Sequence, residues 1–261
     1  MNQGPLDFVP LWGQFALTLG LVLLSIEGGF EIGVRRAARR EPENPSSAGA
    51  MANASLALLA FLLAFTFGFA ASRLETRRTI LLDEVNAIGT TFLRAGALPD
   101  ADAAQARAWL RAYVDGRLEA VRSGELEVGI REWEQLQKRM WESAVALARA
   151  NPTSISVGLY MQALNEMIDL HTKRLNESVR VRISLTIWAA LYVVTVIAML
   201  EMGYQTGLSG RRRPLSVPAF ALAFAVVIYL IADLDRPQAG LIRVSQQPLV
   251  ELRQSMSETP P

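Results

Sequence analysis

Three phenylalanines, Phe61, Phe65 and Phe69, recur four residues apart inside a charge-free stretch, residues 50–72. On a helix that spacing puts the rings on one face. Ser72, Thr76, Thr79, Asp83, Asn86 and Thr90 follow at alternating steps of four and three, which is heptad spacing and continues the same face. An aromatic stripe that passes into hydroxyl, amide and carboxylate groups fits the wall of an ion pathway. The rings would form a constriction that gates by dewetting, and the polar groups would line the passage beyond it. The same pattern fits rings facing lipid or another helix, with a solvated polar stripe outside. The residues alone leave both readings open.

A second group is Asp233, Asp235 and Arg236, at the end of the last apolar segment. One reading is an interfacial anchor in which carboxylates and guanidinium pair locally. The other is a vestibule whose acids bind or select cations. Glu84 and Arg94 lie ten residues apart and cannot be neighbours on one helix, so each is expected to pair with a different helix. His171 is the only histidine. A pH-sensing role is conceivable for it, but a place on the surface of a helix is the simpler expectation. Trp109, Trp133 and Trp141 are expected in a helical core. The chain lacks cysteine, a nucleophile elbow, a phosphate-binding loop and a metal-ligand set. The reading is therefore not an enzyme, with no cofactor and no metal.

These side chains must be positioned by membrane helices. The chain is 51% hydrophobic with mean hydropathy +0.23, and its apolar residues are clumped. Four apolar segments stand out, at residues 8–30, 50–72, 183–200 and 215–232. A helix of ~20 residues crosses the hydrocarbon core. The bilayer is thus the first expected partner. The net charge of +1 gives no sign of nucleic acid.

No proline interrupts residues 50–95, so the second apolar segment is expected to continue as one helix past its charge-free part. Leu74, Leu81, Val85, Ile88 and Phe92 lie opposite the polar stripe and are expected to pack against neighbouring helices. Gly96 and Pro99 end that helix. Further helices are expected at 101–122, at 126–150 and from Ser154 onward. The last is read as running without a break through His171 and Arg182 into the third apolar segment. Residues 241–261 read as a polar tail. The whole is an all-α membrane protein: four transmembrane helices with an extramembrane helical bundle inserted between the second and third. The sections are 1–72, a first hairpin; 73–182, the bundle; 183–232, a second hairpin; and 233–261, the acidic motif and tail.

Short connections carry Arg35, Arg36, Arg39 and Arg40 on one side, and Arg211, Arg212 and Arg213 on the other loop of the same side. By the positive-inside rule both loops are cytoplasmic. The termini and the helical bundle are then expected in the periplasm of a bacterial inner membrane.

Three stretches carry a family resemblance: FLLAFTFGFAASRLETRR at the second-segment exit, DEVNAIGTTFLRAGALP after it, and DLDRPQAGLIRVSQQP near the end. Together with the four-segment layout they resemble the bestrophin-like family of bacterial membrane proteins, which is distantly similar to bestrophin ion channels. The resemblance implies an oligomeric channel, pentameric by analogy, that passes inorganic ions. It implies a second helix lining the pore, with Phe61, Phe65 and Phe69 narrowing it. Bestrophins follow the narrow neck with an Arg and then a Trp-rich stretch. Here Arg73 is present and the Trp residues are not, and no acidic calcium-binding cluster can be traced. The bestrophin arrangement, with termini and large domain in the cytosol, is opposite to the orientation that the loop charges give.

Overall fold

The computed structural model describes residues 8–39, 45–124, 126–177, 182–210, 215–236 and 240–258. Among these residues there are eight α-helices and no strand. They are α1 (Leu11–Ala38), α2 (Pro45–Ala95), α3 (Asp100–Ser123), α4 (Leu126–Ala150), α5 (Ile155–Leu175), α6 (Leu185–Leu208), α7 (Ser216–Asp235) and α8 (Gln247–Glu258). Four of them, α1, α2, α6 and α7, are long and apolar enough to cross a membrane. Arg40 and residues 211–213, on which part of the orientation argument rests, lie outside the described residues.

The chain divides into two compact units. One, the apolar unit, spans residues 2–74 and 182–243; the second spans 75–181 and 244–261.

In the apolar unit, α1 and α6 approach until their backbones touch. Gly29 and Gly33 face Gly203 and Gly207 across the contact. A Cβ at Gly203 would run into the Ile26 carbonyl oxygen, and one at Gly29 into that of Leu200. Small residues one turn apart remove the side-chain spacer that otherwise separates two helices, so dispersion contacts form along the whole seam. The hydroxyls buried here are satisfied within their own helix. Thr18 Oγ1 donates to the Gln14 carbonyl at 2.8 Å and lies 2.9 Å from Tyr192 Oη. Ser25, Thr66 and Thr195 donate to the carbonyls of Leu21, Leu62 and Leu191, four residues back. Such bonds let hydroxyls enter an apolar core without an unpaired donor.

The second unit is a helical core. Leu81, Val85, Ile88 and Phe92 of α2 are buried, as their spacing predicts, together with Leu110, Trp133 and Leu164 of the neighbouring helices. Trp109 and Trp141 pack against this core and are partly buried. Two expectations need correction. The helix from Ser154 does not run into the third apolar segment: α5 ends at Leu175 and α6 begins at Leu185. Ser184 Oγ accepts from Ile187 N and caps a new helix, while Ile183 N donates to Asp235 Oδ1 rather than to an earlier carbonyl. The polar tail, in turn, contains a helix. Leu249, Leu252 and Met256 share one face of α8 and pack on the core, and Arg253 holds Asp115 of α3 through two bonds of 2.5 and 3.0 Å.

Candidate functional site

Burial of one face of α2 aims the other face outward. In the apolar unit Leu59, Thr66 and Ala70 are buried, while Phe61 and Phe65 are 66% and 67% exposed and Phe69 39%. Ser72 is exposed as well. The guanidinium of Arg73 lies 4.4 Å from the centre of the Phe69 ring, a cation–π contact at the end of the stripe. In the second unit Thr76, Thr79, Asp83, Asn86 and Thr90 are all exposed. Every residue of the stripe therefore stands on the open side of its helix in the protomer.

Asp233, Asp235 and Arg236 are all buried, and each holds a different segment. Asp233 Oδ1 accepts from Leu241 N at 2.8 Å and Oδ2 from Ile242 N at 2.9 Å. Gly240, at φ +124°, leads the chain into this turn, and a Cβ there would collide with the Asp233 carboxylate. Asp235 accepts from Ile183 N at 3.0 Å and from Arg182 Nε at 3.2 Å. Arg236 Nη2 donates to the Val9 carbonyl at 2.6 Å. Two acids two residues apart at a helix end point to different sides. The compact acidic motif of the sequence is thus spread over three attachments, and both of its carboxylates are occupied by N–H donors in the protomer. Pro237 of the motif lies outside the described residues.

The chemically densest part of the molecule is elsewhere, inside the second unit. Glu84 sits on the inner face of α2, wholly buried. Arg117 of α3 meets it with two bonds, Nη1 to Oε1 at 2.5 Å and Nη2 to Oε2 at 3.1 Å. Arg174 of α5 brings Nε to 2.8 Å from Oε2. Tyr113 Oη stands 2.9 Å from His171 Nδ1, 3.3 Å from Glu84 Oε1 and 3.4 Å from Gln137 Nε2. Trp133 closes the group, with the His171 ring edge-on to its face at 6.0 Å. His171 is 2% exposed, so its expected surface position is corrected. It lies one turn before Arg174 on the core side of α5.

The electrostatics follow from that packing. Burial pushes the Glu84 carboxyl up, but the Arg117 and Arg174 guanidiniums and the His171 hydrogen bond outweigh it and hold it well below the usual carboxylate range. Burial, followed by the Glu84 charge, raises the Tyr113 hydroxyl to about 12. Burial lowers His171, and the neighbouring carboxylate offsets this only in part. Burial and then Arg117 lower Arg174 to about 10. The centre holds one carboxylate against two guanidiniums. One signal in the sequence points to it: Glu84 is an acid among Leu81, Val85 and Ile88, on the apolar side of an amphipathic helix. Its partners, 33 and 90 residues away, leave no local pattern. Arg94, the other charge singled out on α2, donates to the Leu159 carbonyl at 2.8 Å. Among the described residues no three His, Asp or Glu side chains are grouped as a metal site requires.

A family model described as Bestrophin-like domain matches residues 19–249. No curated protein and no solved structure matches the chain. The match takes in α1 from residue 19, the whole of α2, α6 and α7, and the stretch between them. With those helices it supports a multi-pass membrane protein. The chain belongs to the bestrophin-like family.

Proposed function

We propose that this chain is one subunit of an oligomeric ion channel whose passage is lined by the exposed face of α2. The observation that carries this reading is the outward placement of the whole stripe. Three exposed phenyl rings in the apolar part of α2 lead into six exposed polar side chains on the same helix face. Four apolar helices are too few to enclose a passage, so copies must form a closed ring around it, five by analogy with bestrophins. Phe61, Phe65 and Phe69 form the constriction, and Ser72, Thr76, Thr79, Asp83, Asn86 and Thr90 the polar wall. Residues 73–182 are the extramembrane bundle. Asp233, Asp235 and Arg236 act by anchoring the ends of the apolar helices, a role that the backbone partners of each support better than an ion-binding one. The host membrane is a bacterial inner membrane, with the bundle and termini periplasmic by the loop-charge argument. Inorganic ions pass without a chemical step, so no enzyme activity is assigned.

The absence of native cysteine makes one experiment clean. Single cysteines are placed along α2 in the full chain in liposomes, and a charged thiol reagent is added during ion flux. Block at positions 72, 76, 79 and 83, with none at Leu81 or Val85, supports the lined passage. Equal effects on both faces, or no flux at all, removes it. A second reading is a non-conducting membrane scaffold. It draws on Leu93 and Ile155, apolar side chains of the second unit that are 70% and 79% exposed and available to a partner. Absence of flux with retained oligomers would favour it.

A further inference from the structure

The buried centre around Glu84 has more donors than acceptors. Four buried nitrogens, Trp133 Nε1, His171 Nε2 and Arg174 Nε and Nη2, have no hydrogen-bond partner, although Arg174 Nε lies 2.8 Å from Glu84 Oε2 as an ion pair. No buried side-chain oxygen of this centre is left over. Tyr113 Oη accepts from Arg117 Nη1 at 3.3 Å and from Gln137 Nε2 at 3.4 Å, and its hydrogen has two acceptors in reach, Glu84 Oε1 at 3.3 Å and His171 Nδ1 at 2.9 Å. Trp133 Nε1 and the Arg174 nitrogens are donors whichever imidazole nitrogen carries the proton. The charges lean the same way: Glu84 leaves one of the two guanidiniums uncompensated.

The three groups share one wall. His171 packs edge-on to Trp133 at 6.0 Å, and the Arg174 guanidinium lies 5.9 Å from the centre of the same indole. His171 and Arg174 are one turn apart on α5. In front of the Trp133 N–H stands Gly116 of α3, where even a Cβ would come within 3.2 Å of Nε1. Arg174 is the one member of the centre with a solvent edge, 13% of its side chain, and provides the way in.

We propose that this centre binds one small monovalent anion of halide size, held by Arg174 and Trp133 beside His171 inside the second unit. The site is separate from the α2 face and does not depend on conduction. A halide supplies one negative charge and accepts several N–H bonds without donating any. A water would bring no charge to balance the second guanidinium. Burial first, and the Arg117 charge second, lower Arg174 to about 10.

The test uses the full chain in detergent at fixed ionic strength and pH, with gluconate replaced stepwise by chloride. An anion that binds only the folded state raises the melting temperature with the logarithm of its concentration once that exceeds Kd. That rise is expected for the native protein. It is expected to need at least tenfold more chloride in Arg174→Met, and to be unchanged in Arg35→Met, which alters an exposed pair. No chloride dependence in the native protein overturns the proposal, as does the same dependence in Arg174→Met. Should Arg174→Met fail to fold, bromide-soaked crystals of the native chain decide. An anomalous peak beside Trp133 and Arg174 supports the site, and peaks only elsewhere overturn it.

Discussion

Glu84 and Arg117, 33 residues apart, form a bidentate ion pair in which neither side chain is more than 2% exposed. Removing one member of such a pair leaves the other as an uncompensated buried charge, which costs about 3 to 5 kcal/mol. Glu84→Gln leaves two guanidiniums facing each other and is expected to fall in that range. Arg117→Met is expected to cost a similar amount. The double variant should be less destabilised than the sum of the two. Chemical denaturation in detergent across the four proteins measures the coupling, and full additivity would show that the two groups do not act as a pair.

The same centre makes stability depend on pH in a stated direction. His171 has its folded value below the ordinary 6.5, because burial disfavours the imidazolium. Between that lowered value and 6.5 the unfolded chain binds the extra proton, so stability is full above 6.5 and falls as the solution is acidified. Glu84, also lowered, is lost in the same direction at lower pH, starting from its ordinary 4.5. Tyr113 acts at the other end. Raised from 10.0 to about 12, it stays neutral in the fold, so its contribution is present below 10 and is lost as pH rises toward 12. Melting temperature against pH should therefore show a plateau with a shoulder below 6.5. His171→Gln should remove that shoulder and leave the more acidic loss in place.

Gly203 packs its Cα against the Ile26 carbonyl. Gly203→Ala must push α1 and α6 apart, and overpacking of this kind costs about 1 to 3 kcal/mol. Gly20 of α1 has nothing within 4 Å of where a Cβ would stand. Gly20→Ala is expected to be neutral or to stabilise by up to about 1 kcal/mol through helix propensity. Thermal unfolding of the two variants side by side gives the contrast, and equal effects would refute the close seam.

Asp233 is expected to be intolerant even of Asn. The amide keeps one acceptor oxygen, so one of the Leu241 and Ile242 N–H groups loses its partner and the Asn N–H₂ faces it instead. A buried donor left unsatisfied costs about 1 to 3 kcal/mol. Asp83→Asn, on the exposed face of α2, should change stability by less than about 0.5 kcal/mol. Denaturation midpoints of the two variants test the difference.

Phe65→Ala tests the channel reading directly. Shrinking one exposed ring per subunit widens a hydrophobic constriction and lets water enter. Flux through liposomes is expected to rise several-fold with unchanged oligomer size. Unaltered flux and rectification would show that Phe65 does not set the narrow point.

Much of the fold was written in local pattern. Charge-free runs, heptad steps and a Gly-Pro punctuation gave four apolar helices, the long α2 and its two faces, because each depends on residues within a turn or two of one another. Phe61, Phe65 and Phe69 could be placed on one face from spacing alone for the same reason. Other features depended on residues far away in the chain. The break before α6 rests on Ser184 and on Ile183 N–H finding Asp235, 52 residues on. The amphipathic face of α8 could be read from spacing, but its docking needed Asp115 to meet Arg253. His171 reads as a surface histidine because no acid stands three or four residues from it on its own helix, and only the packing of α5 on α2 and α3 brings Glu84 within 3.7 Å. The acidic motif failed as a cluster for a related reason: adjacency in sequence at a helix end separates side chains around the axis. Periodicity fixes which way a side chain leaves its helix. What it meets there is decided by helix packing, and that sum of long-range contacts has no local signature.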